Sequence, residues 1–297
     1  TLYPLFIDAL GAGKVSVGPP YFNTVFVPLM SPLVVLAGIA PMLSWKRADL
    51  GGIVDRLKII AALTALVLVW TVYQVWGNAV FGAFGIALSA WLASSVLLDW
   101  ALRIRLFRAS PLDSMRRAMR IPRAAYGMNF AHFGVALLVA GVTASSAWRT
   151  ESLQVMREGE SISVAGFEFL FHGVDRAEGP NYAVDRGHFT VTRGAKFTVE
   201  LWPENRFYPV QQQPTTEAAI HTMWNADLYA VVGDPDGNGG WATRIYYNPL
   251  VPWIWLGALV MALGGAVSLS DRRHRVGAPK RSQSTPMPRH AAADIVR

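Results

Sequence analysis

A chain of 297 residues, 52% hydrophobic and only 16% charged, is too apolar for an ordinary soluble domain and too mixed for a bare helix bundle. It has no cysteine, which excludes disulfides, thiolate metal sites and cysteine nucleophiles. A net charge of +7 points either to nucleic acid or to membrane topology, and the distribution of that charge decides between them.

The first 23 residues are partly apolar but broken by Gly11, Gly13, Gly18, Pro19 and Pro20. They read as the end of an earlier helix followed by an interfacial loop. The chain starts at Thr1 with no signal-peptide pattern, so a fragment lacking its N-terminal portion is expected. Thr24 to Leu43 is an uncharged run of 20, the length that crosses a bilayer core as a helix. Its prolines 28, 32 and 41 are tolerable where neighbouring helices re-satisfy the freed carbonyls. A second span is expected over Ile59–Trp76, after a short polar loop, and a third over Ala79–Leu98, after a tight Gly77-Asn78-Ala79 turn. Asp99 closes the third span as an end marker at the interface. Arg103 to Arg123, with seven arginines, reads as a loop, so 24–127 holds three spans and their basic loops.

Met128 to Trp148, MNFAHFGVALLVAGVTASSAW, is 21 residues without formal charge. Its one strong metal-binding group is His132, and an ionisable group at membrane depth is a functional candidate by default. His132 lies six residues past Tyr126, roughly 9 Å along a helix at about 1.5 Å per residue. Neutral imidazole ligates haem iron well. Haem needs one or two axial ligands, whereas zinc needs three or four, and no other histidine lies in a span. The same helix carries Gly134, Leu138 and Gly141 near one face, where small residues admit either a flat macrocycle or another helix. The competing reading has His132 hydrogen-bonded to a neighbouring helix.

Residues 149–248 form a polar segment with strand signals. In FEFLFHGV, Phe167, Phe169 and Phe171 share one face and His172 lies opposite them, towards solvent. HFTVTRG, KFTVELW, DLYAVVGD and WATRIYYNP follow, divided by turns such as Glu178-Gly179-Pro180-Asn181 and the run Asp234 to Gly239. Six or seven short strands at this spacing predict a small antiparallel barrel or sandwich. His188 and His221, placed near turns, are expected as surface histidines. Pro249–Ser270 is the last span, with Trp253, Trp255 and Trp148 as an interfacial aromatic belt, and 271–297 is a basic tail. The fold class is therefore a multi-pass α-helical membrane protein with an inserted β-rich domain.

Five spans place 18 of the 27 Lys and Arg residues on one side, in the short loops and the tail, and nine on the other. The positive-inside rule makes the first side cytoplasmic and puts 149–248 outside. The basic charge is then a topology signal with some membrane-lipid contact, and no nucleic-acid partner is expected. There is no phosphate-binding loop, dinucleotide fingerprint or HExxH pattern. A solute transporter would need paired broken helices around a midplane site, and the proline-rich first span is its only hint.

The wording of the chain adds a resemblance. TLYPL, VSVGPPYFNTVFVPLM, AHFGVALLVAGV, EGPNYAVDRGHFTV, RFYPVQQQPTTEAAI and RIYYNPLVPWIWLGALVMALGG together resemble the C-terminal half of the CcmF/NrfE/CycK family, from Thr1 to about Arg275. The resemblance implies the large subunit of the bacterial cytochrome c maturation haem lyase, in the inner membrane, with residues 149–248 periplasmic and the C-terminus cytoplasmic. Such a subunit joins haem to the CxxCH motif of apocytochrome c by thioether bonds, receives haem from the chaperone CcmE and works with CcmH and CcmI. It further implies a membrane b-type haem held by two histidines, of which AHFGVALLVAGV carries one, His132, and a role for quinol as reductant. The other ligand, the tryptophan-rich WWD segment and two periplasmic histidines would lie upstream of Thr1, so the fragment alone is not expected to be a competent lyase. The alternative is a non-catalytic scaffold that docks assembly partners through 149–248, whose side of the chain is acidic.

Overall fold

The computed structural model describes residues 7–11, 18, 21–42, 50–75, 79–195 and 197–271. Most of the expected N-terminal loop, the start of the polar loop after Leu43, the Gly77-Asn78 turn and the tail from 272 onwards lie outside the described residues.

Six helices are described: α1 (Phe22–Met42), α2 (Leu50–Gln74), α3 (Phe81–Ile104), α4 (Pro111–Arg120), α5 (Arg123–Ala147) and α6 (Val251–Leu269). Among them α1, α3, α5 and α6 are long and apolar enough to cross a membrane. The expected second span lies in α2, which starts nine residues earlier and runs through Gly51 and Gly52, with no proline between Leu50 and Lys58 to stop it. Its charges, Asp55, Arg56 and Lys58, sit at that end. Beyond them it exposes Leu63, Leu66, Val69 and Trp70, an outward apolar stripe that suits lipid rather than water.

Two expectations are corrected here. The third span does not stop at Leu98. α3 runs to Ile104, and Asp99 is buried inside it, with its Oδ2 accepting from Arg103 Nε at 2.6 Å one turn on. The pairing offsets the cost of a carboxylate that water does not reach. The segment 103–123 is not only loop, because it contains α4. Ser110 caps that helix, accepting the Asp113 N–H at 3.2 Å while its own hydroxyl donates to Asp113 Oδ2 at 2.8 Å, and Pro111 fills the first turn. That Ser-Pro-Leu-Asp signature was present in the sequence.

Polar side chains stitch α3 to its neighbours. Ser89 Oγ donates to the Ala136 carbonyl at 2.7 Å, Trp91 Nε1 to Val35 O at 3.1 Å, and Ser95 Oγ to Gly38 O. Such bonds satisfy hydroxyls where no water is available. α5 and α6 meet along a seam of glycines spaced by seven: Gly127, Gly134 and Gly141 on one helix, Gly257 and Gly264 on the other. A methyl group at Gly134 would lie 2.6 Å from the Gly257 carbonyl oxygen, and one at Gly257 would lie 2.6 Å from that of Gly134. Of the two partners the sequence allowed for the Gly134–Gly141 face, a helix occupies it.

Between α5 and α6 lies a β-sandwich of ten strands. β1 (Thr150–Arg157), β10 (Gly240–Pro249), β9 (Ala226–Pro235) and β8 (Ala219–Thr222) form one antiparallel sheet in that order. The other runs β2 (Ser161–Val164), β3 (Phe167–Glu178), β4 (Ala183–Arg193), β6 (Glu204–Tyr208) and β7 (Gln213–Glu217), with β5 (Phe197–Leu201) also on β4. More strands form than the seven at most that patterning suggests, among them β6 and β7, polar segments that tertiary pairing makes strands. Phe167, Phe169 and Phe171 face inward as the alternation predicts, packing with Phe189, Leu228 and Ile245. Asp236 Oδ1 accepts the N–H groups of Asn238 and Gly240, each at 2.7 Å, and closes the β9–β10 turn. The sandwich is tied to α6 by the Leu250 N–H to Asn225 O bond at 2.7 Å and by Trp253 Nε1 to Trp224 O at 3.1 Å. Gly82, at the start of α3, packs against Ala147 and Trp148. The start of α3, the end of α5 and the start of α6 therefore gather at the end that carries the sandwich.

Candidate functional site

His132 sits in the third turn of α5 and is half-buried. Its Nδ1 lies 2.9 Å from the carbonyl oxygen of Met128, one turn back. A carbonyl oxygen only accepts, so Nδ1 carries a proton, and in the neutral ring Nε2 is the nitrogen with the lone pair. This is the tautomer in which an imidazole binds a metal through Nε2 while its other nitrogen is held by a carbonyl. Among the described residues this is the ring's one hydrogen bond, and it lies within its own helix rather than across to a neighbour. Residues 3, 4 and 7 further along share a helix face with His132. They are Val135, Ala136 and Val139, and they pack with Val34 of α1 and Leu92 of α3. His132 is thus on the α1–α3 side of α5, off the glycine seam.

The next ridge of α5 borders a cleft of about 320 Å³ between α3 and α5. Val96, Leu97 and Trp100 line it from α3, and Tyr126, Asn129, Phe130 and Phe133 from α5. Tyr126 and Phe130 stack with centroids 6.2 Å apart, and Tyr126 Oη donates to the Ala118 carbonyl at 3.0 Å. Asn129 is 7% exposed, and its Oδ1 has no hydrogen-bond partner. A buried amide oxygen left unmet costs about 1–3 kcal/mol, so a cleft-bound donor would gain by meeting it. Asn129 went unnoticed in sequence, although a lone amide three residues from the histidine of the same span was a usable signal.

Outside the spans, the structure brings together residues that the sequence left apart. His188 lies within β4, not near a turn, because β4 is continuous through it. It stacks on Trp202 with centroids 3.8 Å apart and ring planes 4° from parallel, and on exposed His172 at 4.5 Å. His188 Nε2 meets Glu200 Oε2 at 2.6 Å, and His172 Nε2 meets Thr190 Oγ1 at 2.7 Å. His221 lies in β8, edge-on to Phe197. The stacked imidazoles are bonded to sheet neighbours, and among the described residues no cluster of three or more acidic or histidine side chains converges to hold a metal ion. His132 is not part of this group, and the structure does not bring the two places together.

Comparisons with known proteins agree with this architecture. Residues 147–249 match the family described as the CcmF C-terminal beta-sandwich. The chain is 42% identical over 283 residues to the cytochrome c-type biogenesis protein CycK of Rhizobium meliloti, covering 95% of this chain and 42% of that protein. It is 38% identical to CcmF of Pseudomonas aeruginosa, covering 93% of this chain and 41% of the relative. Against NrfE of Haemophilus influenzae identity is 29%, again over 93% of this chain. The chain thus spans about two fifths of the length of the curated relatives it matches. A solved structure titled cytochrome c heme lyase CcmF shares the fold, with a TM-score of 0.66 at 24% identity over 91% of this chain and 42% of that one.

Proposed function

We infer, for a chain that belongs to the CcmF family of cytochrome c-type biogenesis proteins, that it is the C-terminal part of the membrane subunit of a haem lyase and holds a b-type haem on His132. In this reading the subunit sits in the bacterial inner membrane and joins haem to the CxxCH thiols of apocytochrome c as thioethers. The chain has no cysteine, so those thiols belong to the apocytochrome. Haem arrives on CcmE, and CcmH and CcmI handle the apoprotein.

The observation that carries the reading is the free Nε2 of His132, aimed by the Met128 carbonyl from an uncharged helix. It supports one axial ligand. No other histidine lies in α1, α2, α3, α5 or α6, so the second would come from outside this chain. When bound, the haem supplies one-electron transfer. The protein's part would be to hold the iron at Nε2 of His132, to fix the ring through Nδ1 and to keep water away with Val135, Ala136 and Val139. Asn129 lines the neighbouring apolar cleft and its buried Oδ1 is unmet, which supports a quinol site there if the amide turns towards the cleft. The residues 129 and 132 stand three apart and are therefore adjacent on the helix surface.

Topology follows from α5 alone. If α5 crosses the bilayer, the seven-arginine segment before it and the sandwich after it lie on opposite sides, cytoplasmic and periplasmic by the positive-inside rule, and α6 returns the tail to the cytoplasm. With α2 as a fifth span the short loops keep the same sign.

The test is a reduced-minus-oxidised spectrum with haem quantitation on membranes that contain this chain together with the segment its relatives carry in addition. Wild type and His172→Ala should show the same b-type signal, and His132→Ala should lose it. Equal haem in all three would leave His132 without a ligand role and favour the scaffold reading.

A further inference from the structure

The ten residues of α4 are not absorbed by haem chemistry. Around its axis the helix shows three sectors. Ser114, with Ala118 beside it, turns to the protein. Leu112, Met115 and Met119 form an exposed apolar stripe, 59%, 64% and 74% accessible. Arg116, Arg117 and Arg120 form a third sector bordering a cleft of about 530 Å³ that Arg103 closes from α3. Asp113 is the one carboxylate lining that cleft. It is engaged by Ser110 and lies 3.7 Å from Arg116 Nη1. Arg103 is held by Asp99, while Arg117 and Arg120 make no ion pair among the described residues.

A soluble helix buries its apolar stripe against its own protein. α4 buries a different sector and leaves the apolar one open beside a basic one. Its depth is set by its neighbours: six residues separate it from the end of α3 and two from the start of α5, so α4 lies at the mouth of two spans. Tyr126 Oη, bonded to the Ala118 carbonyl, pins it there. Helices with an apolar stripe beside an arginine face lie in the membrane plane, with the stripe in the acyl region and the cations among anionic headgroups.

We propose that α4 is an interfacial helix that docks on anionic phospholipid, with Leu112, Met115 and Met119 inserted below the headgroups and Arg116, Arg117 and Arg120 gathering lipid phosphates in the cleft closed by Arg103. Charge complementarity selects the occupant, since four arginines surround a cleft with one carboxylate. The docking fixes the level of the segment Ile121–Pro122, from which α5 sets out nine residues before His132.

The chain has no cysteine, so Met119→Cys is a unique attachment point for a nitroxide. The labelled chain is reconstituted in phosphatidylcholine vesicles with rising phosphatidylglycerol, and collisions with oxygen and with a water-soluble nickel chelate are compared. Phosphatidylglycerol should move the label towards oxygen and away from nickel. In Arg117→Gln the phosphatidylglycerol fraction giving half the shift should rise about fivefold, the loss of one surface cation's attraction, and Arg120→Gln should behave alike. Arg193→Gln, on the sandwich, should titrate as the parent. A label that stays water-accessible at every composition overturns the proposal. So does an arginine variant that titrates as the parent, or inorganic phosphate with neutral vesicles producing the same shift.

Discussion

The glycine seam gives the sharpest test of how α5 and α6 are held. Gly264 and Gly265 are adjacent on α6, yet they face different surroundings. A methyl group at 264 would lie 2.6 Å from the Ala131 nitrogen and 2.6 Å from the Gly127 carbonyl oxygen, whereas one at 265 meets nothing within 4 Å. Both obstacles at 264 are backbone atoms, which no rotamer change removes. The helices must part by about 0.8 Å to reach ordinary contact at 3.4 Å, and overpacking of this kind costs about 1–3 kcal/mol. Parting also displaces Ala131, whose neighbour is His132. Thermal unfolding of the purified chain in one detergent, followed by helical circular dichroism, compares Gly264→Ala with Gly265→Ala. At about 2–4 °C per kcal/mol for chains approaching this size, the first should unfold several degrees lower, and the second should match wild type or exceed it. Equal midpoints, or a lower one for Gly265→Ala, would refute the claim that backbone approach along this seam holds the pair.

Three further outcomes are expected. Phe169 is fully buried between the sheets, so Phe169→Ala should destabilise the sandwich by about 3–5 kcal/mol and expose residues 149–248 to limited trypsin digestion, and unchanged resistance would count against the packing described. Asn129→Leu removes an unmet buried oxygen and should raise thermal stability while slowing haem reduction by added quinol; greater stability with unchanged reduction would reject the cleft as the quinol site. Burial pushes the Asp227 carboxyl above its ordinary value, against a Thr222 hydrogen bond and the charge of His221, and its Oδ1 is unpartnered. Its contribution is therefore intact below the unfolded value of about 3.9 and lost as pH rises through the higher folded value. Asp227→Asn should stabilise the protein at pH 7 and leave it unchanged at pH 3, and an equal effect at both would exclude the carboxylate as the cause.

The chain's patterns made much of this legible because they are local. Uncharged runs of about 20 residues located α1, α3, α5 and α6, though α3 runs six residues further and α5 starts five residues earlier than those runs, and period-two phenylalanines identified β3 and its inward face. Asp99 was misjudged because a charge in a sequence window looks like an end, while Arg103 one turn on lets the helix continue with the carboxylate buried. α4 was missed because seven arginines read as loop and outweighed the Ser110 cap. β6 and β7 carry no alternation of their own and exist because β4 offers β6 an edge to pair with and β6 in turn offers one to β7.

His132 shows where the sequence stops. Its type, its uncharged surroundings and its depth along the span were all written in the order of residues, because burying a polar group in lipid is costly wherever it occurs. Which nitrogen is free and which helices it faces depended on backbone geometry and on what packs beside α5. The glycines at 134 and 141 announced close approach without saying to what, and only the folded chain assigns that face to α6. The stack of Trp202, His188 and His172 joins residues up to 30 apart in the chain, a proximity created by strand register that no local pattern encodes.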